Sequence, residues 1–139
     1  MLIKYKYFKT YFYLNFIISI SLPLFLGSSI NSIVITWFPL STFPIFGFVY
    51  FTSFIRFSHD IELKYPDLFK KYKSSFGYMV QRINGFELFN NPDFEKLEDV
   101  KLVELLVFTK KMLGLTALSF FSIIIFTIVL YMLTNTFHL

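Results

Sequence analysis

Few residues in this chain are suited to chemistry, and their positions matter as much as their identities. In "HDIE", His59, Asp60 and Glu62 have the composition of an acid–base or metal site. Residues at i, i+1 and i+3 do not converge on one helix face, however, so a solvated patch is the plainer reading. The other histidine, His138, is expected on the opposite side of the membrane from His59, so the two cannot share a metal. There is no glycine-rich phosphate loop, nucleophile elbow or His-Glu metal helix. With no cysteine, disulfides and thiolate sites are absent. The expectation is therefore no catalytic residue, cofactor or metal. A membrane-embedded enzyme would have to gather Asp60, Glu62 and Asp67 in an interfacial cavity.

The more informative pattern is "PDLFKKYKSSFGYMVQRING". Pro66 suits a first helical turn and Asn84-Gly85 a helix end. Between them Phe69, Tyr72, Phe76, Met79, Val80 and Ile83 recur at three- and four-residue steps. At 100° per residue they occupy an arc of about 100°. Lys70, Lys71, Ser74, Gln81 and Arg82 fall outside it, with Lys73 at its edge. This predicts an amphipathic helix with a basic polar side, weakened at Ser74, Ser75 and Gly77. Two roles fit. The helix could lie on a membrane, with Phe69, Tyr72, Phe76, Met79, Val80 and Ile83 in the headgroup region and Lys70, Lys71 and Arg82 toward anionic lipid. It could equally pack on a protein partner, because periodicity does not distinguish lipid from protein.

Such a segment must be positioned by the rest of the chain, whose composition points to a bilayer. The 139 residues are 55% hydrophobic and only 16% charged, with a mean hydropathy of +0.61, too apolar for an ordinary soluble domain. All 13 Lys and Arg and all 9 Asp and Glu fall within residues 1–10 or 56–111. Placing an ionised group at mid-bilayer costs about 2.5 to 3.5 kcal/mol, which explains this segregation. Phenylalanine is abundant, 21 residues, alongside Tyr, Ile, Lys and Asn. An AT-rich genome encodes the same bias, so aromatic richness alone argues for no ligand.

The uncharged run 11–55 would form a helix about 68 Å long, over twice a bilayer core. It predicts two spans with a turn. "GSSINS", from Gly27 to Ser32, gives spans near Thr10 to Leu26 and Ile33 to Ile55. The rival break is "WFPLSTFP", where Pro39 and Pro44 disfavour helix before them. A third span is predicted from Met112 to Thr134, anchored by Lys110 and Lys111. A secretory signal ending at "LGSS" is the competing reading of the N-terminus. Against it, the apolar stretch contains Pro23 and leads straight into another span.

The expected fold class is thus all-α: an integral membrane protein with three transmembrane helices and a helical cytoplasmic loop. Residues 1–55 form an N-terminal tail and hairpin, 56–111 the loop, and 112–139 the third helix with an outer tail. The positive-inside rule directs the N-terminus and loop to the cytoplasm. Within the loop, "NPDFEKLEDVKLVELLVFTKKM" predicts a helix from Asn91 running into the third span, with Leu102, Leu105 and Leu106 available to Phe69 and Phe76. Its Glu95, Glu98, Asp99 and Glu104 complement the basic segment before it. Small and polar residues mark expected helix-packing faces: Asn15, Ser19, Pro23 and Gly27 on the first span, and Gly114, Thr116, Ala117, Ser119 and Ser122 on the third.

"YPDLFKKY" followed by "LFNNPDFEKLEDVKLVELLVF" and a terminal span resembles the universal stress protein B family and similar small bacterial membrane proteins, over residues 60–133. The resemblance implies an inner-membrane protein with a soluble inter-span region. The expected work is non-enzymatic: an accessory, scaffold or stress-related membrane component. The alternative is a membrane-permeabilising effector of holin type. Expected partners are the lipid bilayer, anionic lipids, and a membrane protein or a second copy of this chain. Nucleic acid is not expected, since the loop carries ten basic against nine acidic residues.

Overall fold

A computed structural model describes residues 2–26, 31–76 and 80–137. Three long helices dominate it: α1 (Leu2–Leu26), α2 (Asn31–Lys64) and α5 (Val100–Phe137). Between α2 and α5 run α3 (Pro66–Tyr72), the antiparallel strands β1 (Lys73–Phe76) and β2 (Val80–Ile83), α4 (Gly85–Asn90) and a single 3-10 turn (Pro92–Phe94). Gly27 and Met79 lie outside the described residues.

The direction of each long helix follows from its ring contacts. Phe38 meets Phe126 and Phe43 meets Phe120, so numbering rises along α2 as it falls along α5. Phe8 touches Phe46 while Phe16 touches Phe38, which makes α1 antiparallel to α2. Phe8 also meets Phe108 and Phe16 meets Phe126, so α1 and α5 run the same way. The start of α1 and residues 56–111 consequently share one end of the bundle.

Pro39 and Pro44 do not interrupt α2. A proline inside a helix costs about 3 kcal/mol. Here it is offset by the fully buried Phe38 and Phe46, each contributing about 1.5 to 3 kcal/mol against α1 and α5. The helices therefore part between Leu26 and Asn31, within "GSSINS". Among the described residues, Ile33–Lys64 and Val100–Val129 are long and apolar enough to cross a membrane. The helix α1, with Lys4, Lys6 and Lys9 in its first third, falls short of that measure.

Two hydrophobic cores are stacked along the bundle. The first gathers Phe12, Val34, Phe38, Phe46, Phe108, Met112, Leu115 and Phe126 between the three long helices. The second lies at the charged end, where α2 and α5 extend beyond α1 and frame Phe57, Ile61, Leu102, Leu105 and Leu106. Phe69, Ile83, Leu88 and Phe94 from the inter-helix segment close this second core.

The structure corrects two local expectations. Residues 66–83 are not one amphipathic helix: α3 ends at Tyr72, and residues 73–76 pair with 80–83 in the register Lys73↔Ile83, Ser74↔Arg82. Ser74, Ser75 and Gly77 are poor helix formers, and the strand arrangement still buries Phe69 and Ile83. The all-helical expectation accordingly gives way to a mostly helical chain with one small hairpin. Nor does a helix run on from Asn91. The 3-10 turn of Pro92–Phe94 stops, and α5 starts afresh where the Asp99 carboxylate accepts from the backbone N–H of Lys101 at 3.0 Å and of Leu102 at 3.3 Å.

Candidate interaction site

The segment between α2 and α5 folds onto the protruding helix ends, and three kinds of bond hold it there. Apolar contact comes first: Phe69, Ile83, Leu88 and Phe94 are all buried, with the Phe94 ring 6.0 Å from Phe57 and 5.3 Å from Tyr72. A buried hydrogen bond follows, in which the Ile83 N–H donates to Ser58 Oγ at 3.0 Å and ties β2 to α2. Ion pairs cross between sequence-distant parts: Lys64 to Asp99 at 2.5 Å, Lys71 to Asp93 at 3.1 Å and Lys110 to Glu95 at 2.6 Å.

The electrostatics follow from these pairs. The Tyr72 hydroxyl donates to Asp93 at 2.6 Å and, with Lys71, holds that carboxyl below its ordinary value. The hydrogen bond from Lys64 does the same for Asp99, and that from Lys110 for Glu95. Lys64 is raised in return by Asp99, and Lys71 by Tyr72 and Asp93. Most of these side chains are substantially exposed, so the pairs orient the segment more than they stabilise it.

The residues expected to contact a surface or partner are dispersed by this arrangement. Phe69 and Ile83 point into the second core, and Tyr72 packs against it while bonding Asp93. Lys70 is exposed, and Lys71 is paired. Phe76 and Val80 are opposite partners in the hairpin. Arg82 stands apart. Its guanidinium lies 5.1 Å from the centre of the Phe51 ring on α2, and its Nε is shielded from solvent with no hydrogen-bond acceptor among the described residues.

Three other cations also sit on aromatic rings: Lys71 over Tyr72 at 4.7 Å in the inter-helix segment, Lys9 over Tyr13 at 5.8 Å and Lys111 over Tyr5 at 5.1 Å. Lys9 is the last charged residue of α1, Lys111 the last before the uncharged part of α5, and Phe51 lies five residues before Arg56, the first charge of α2. On α2 and α5 the Arg82 and Lys111 pairs mark the level where charge gives way to apolar surface, whereas Lys9 and Tyr13 stand deeper along the bundle, where Tyr11 of the same helix donates to Ser41 O.

Of the expected helix-packing residues, Ser19, Pro23, Ser119 and Ser122 are buried, and Asn15 and Ala117 are half-buried. The Asn15 amide donates to Tyr11 O at 2.9 Å, within its own helix. Gly114 is exposed, with nothing within 4 Å of where a Cβ would stand. Among the described glycines, Gly47 lies against another helix, its Cβ position 3.8 Å from Thr116 Cγ2. Sequence reasoning missed Gly47, although an isolated glycine in an apolar helix is a signal for close helix contact. Among the described residues no group of three His, Asp or Glu side chains converges to hold a metal, and His59 is exposed. No family model, curated protein or solved structure matches the chain.

Proposed function

We propose that this chain is a three-span integral membrane protein, with its N-terminus and the segment 56–111 on the cytoplasmic face, in a bacterial inner membrane as the family resemblance implies. Its work on this reading is non-enzymatic: an accessory or scaffold component, in line with the stress-related family it resembles, whose folded cytoplasmic segment docks a protein or the leaflet surface. One observation carries the proposal. Ile17, Ile18, Trp37, Leu40, Phe48, Ile124 and Ile128 are exposed around the uncharged part of the bundle, while every charged side chain belongs to the other end. In water so large an apolar belt would drive aggregation; in lipid it is the expected exterior.

Element lengths support the same reading. Thr10 to Leu26 covers about 26 Å as a helix, close to the hydrocarbon thickness. The helices α2 and α5, with 34 and 38 residues, are longer than a bilayer needs, and their surplus turns carry the second core.

The chain has no natural cysteine, so single-cysteine variants report topology without background. Lys6→Cys and Glu62→Cys should react with a membrane-impermeant maleimide only from the cytoplasmic side, and Asn135→Cys only from the other. Labelling of Lys6→Cys and Asn135→Cys from the same side would overturn the topology. A holin-type activity is tested by dye release from liposomes. The bundle interior is filled by Phe12, Phe38, Phe46 and Phe126, so tight vesicles are expected.

A further inference from the structure

We propose that Arg82, held over Phe51, forms a seat for the phosphate of an anionic phospholipid in the cytoplasmic leaflet. The inference rests on the membrane reading above and adds a ligand and a residue to it.

Three observations converge on this side of the molecule. The first is the state of Arg82. Lys64, Lys71 and Lys110 each have a carboxylate partner, but no carboxylate pairs with Arg82 among the described residues. Its Nε is hidden from solvent without an acceptor, so a ligand would meet the guanidinium through its terminal nitrogens. A phosphate supplies two oxygens in the geometry the guanidinium fork prefers.

The second observation is level. Arg82 is brought to the level where charge ends on α2 and α5, the depth assigned here to headgroup phosphates. The Phe89 ring of α4 rests 6.4 Å from Tyr50 on α2, so the hairpin and the short helix after it both reach α2 at this level. The third is the neighbouring surface. Phe51 is 50% exposed, and Phe48, one turn farther into the uncharged stretch, is 69% exposed. A cation above exposed rings that continue into an apolar wall matches an anionic head above an acyl chain, which favours lipid over a protein partner.

The test is native mass spectrometry of the full chain, released from mixed phosphatidylglycerol and phosphatidylcholine micelles. The wild type should retain phosphatidylglycerol in preference. Arg82→Gln should reduce the bound fraction by more than about fivefold, the factor for one basic residue held only by diffuse attraction to an anionic surface. Arg82→Lys keeps the charge but loses the fork, so it should retain more lipid than Arg82→Gln and less than wild type. Lys70→Gln removes an exposed charge of the same segment and should change retention little. Equal losses in Arg82→Gln and Lys70→Gln would overturn the seat, leaving only diffuse attraction. Displacement of the lipid by excess inorganic phosphate would also overturn it, because Phe48 and Phe51 are assigned to the acyl chain. Alkaline carbonate extraction of the wild type separates the two levels: release from membranes defeats the membrane reading, whereas retention with unchanged lipid binding in Arg82→Gln defeats the seat alone.

Discussion

Replacing Ser58 with alanine tests how the inter-helix segment is fastened to the bundle. The Ser58 hydroxyl is 3% exposed and accepts the Ile83 N–H at 3.0 Å, while Ile83 itself is 2% exposed. Removing the hydroxyl leaves a buried backbone donor with neither protein nor water to receive it, at a cost of about 1 to 3 kcal/mol. At about 1.4 kcal/mol per decade, local opening of β2 and α4 should become roughly 5 to 150 times more frequent. Hydrogen exchange of the full chain in nanodiscs reads this directly. Amides of residues 80–90 should lose protection in Ser58→Ala, while those of 35–50, in the other core, should not. Ser53→Ala is the matched control, since the Ser53 hydroxyl only donates to Val49 O of its own helix and its loss strands no donor. Equal protection of 80–90 in Ser58→Ala and wild type would refute the reasoning, as would an equal loss in both variants.

Acid should loosen the same segment. Asp93, Asp99 and Glu95 have folded pKa values below their ordinary 3.8 to 4.5, so their contribution is present above that range and is lost as pH falls through the lowered values. Protection of residues 85–99 should therefore stay level from neutrality to about pH 5 and fall below about pH 4. At Gly47, an added Cβ meets Thr116 at ordinary contact distance, so Gly47→Ala should raise stability by up to about 1 kcal/mol through helix propensity. Gly47→Leu should overpack the α2–α5 contact and lower stability by about 1 to 3 kcal/mol, both read from thermal melts in detergent. Phe38→Ala, at the meeting point of α1, α2 and α5, should cost about 3 to 5 kcal/mol in the same assay. Asp99→Ala should loosen the first turn of α5, with exchange at Lys101 and Leu102 faster than in wild type and that at Leu115 unchanged.

Sequence alone determined where charge can and cannot sit, because the cost of moving an ionised side chain out of water belongs to that residue and its solvent. The uncharged stretches and the acidic complement to the basic segment are properties of this kind, legible before any fold was known, whereas the sequence left the first break open between "GSSINS" and "WFPLSTFP". What only the tertiary structure decided depends on pairs. Phe69, Tyr72, Phe76, Met79, Val80 and Ile83 satisfy a helical period, yet a strand pair leaves Ile83 equally buried and gives its N–H the Ser58 oxygen, 25 residues away. Local spacing cannot see an acceptor on another helix. The same holds for Arg82: its charge was visible in the sequence, but its position over Phe51, with no carboxylate partner among the described residues, exists only once β2 is folded against α2.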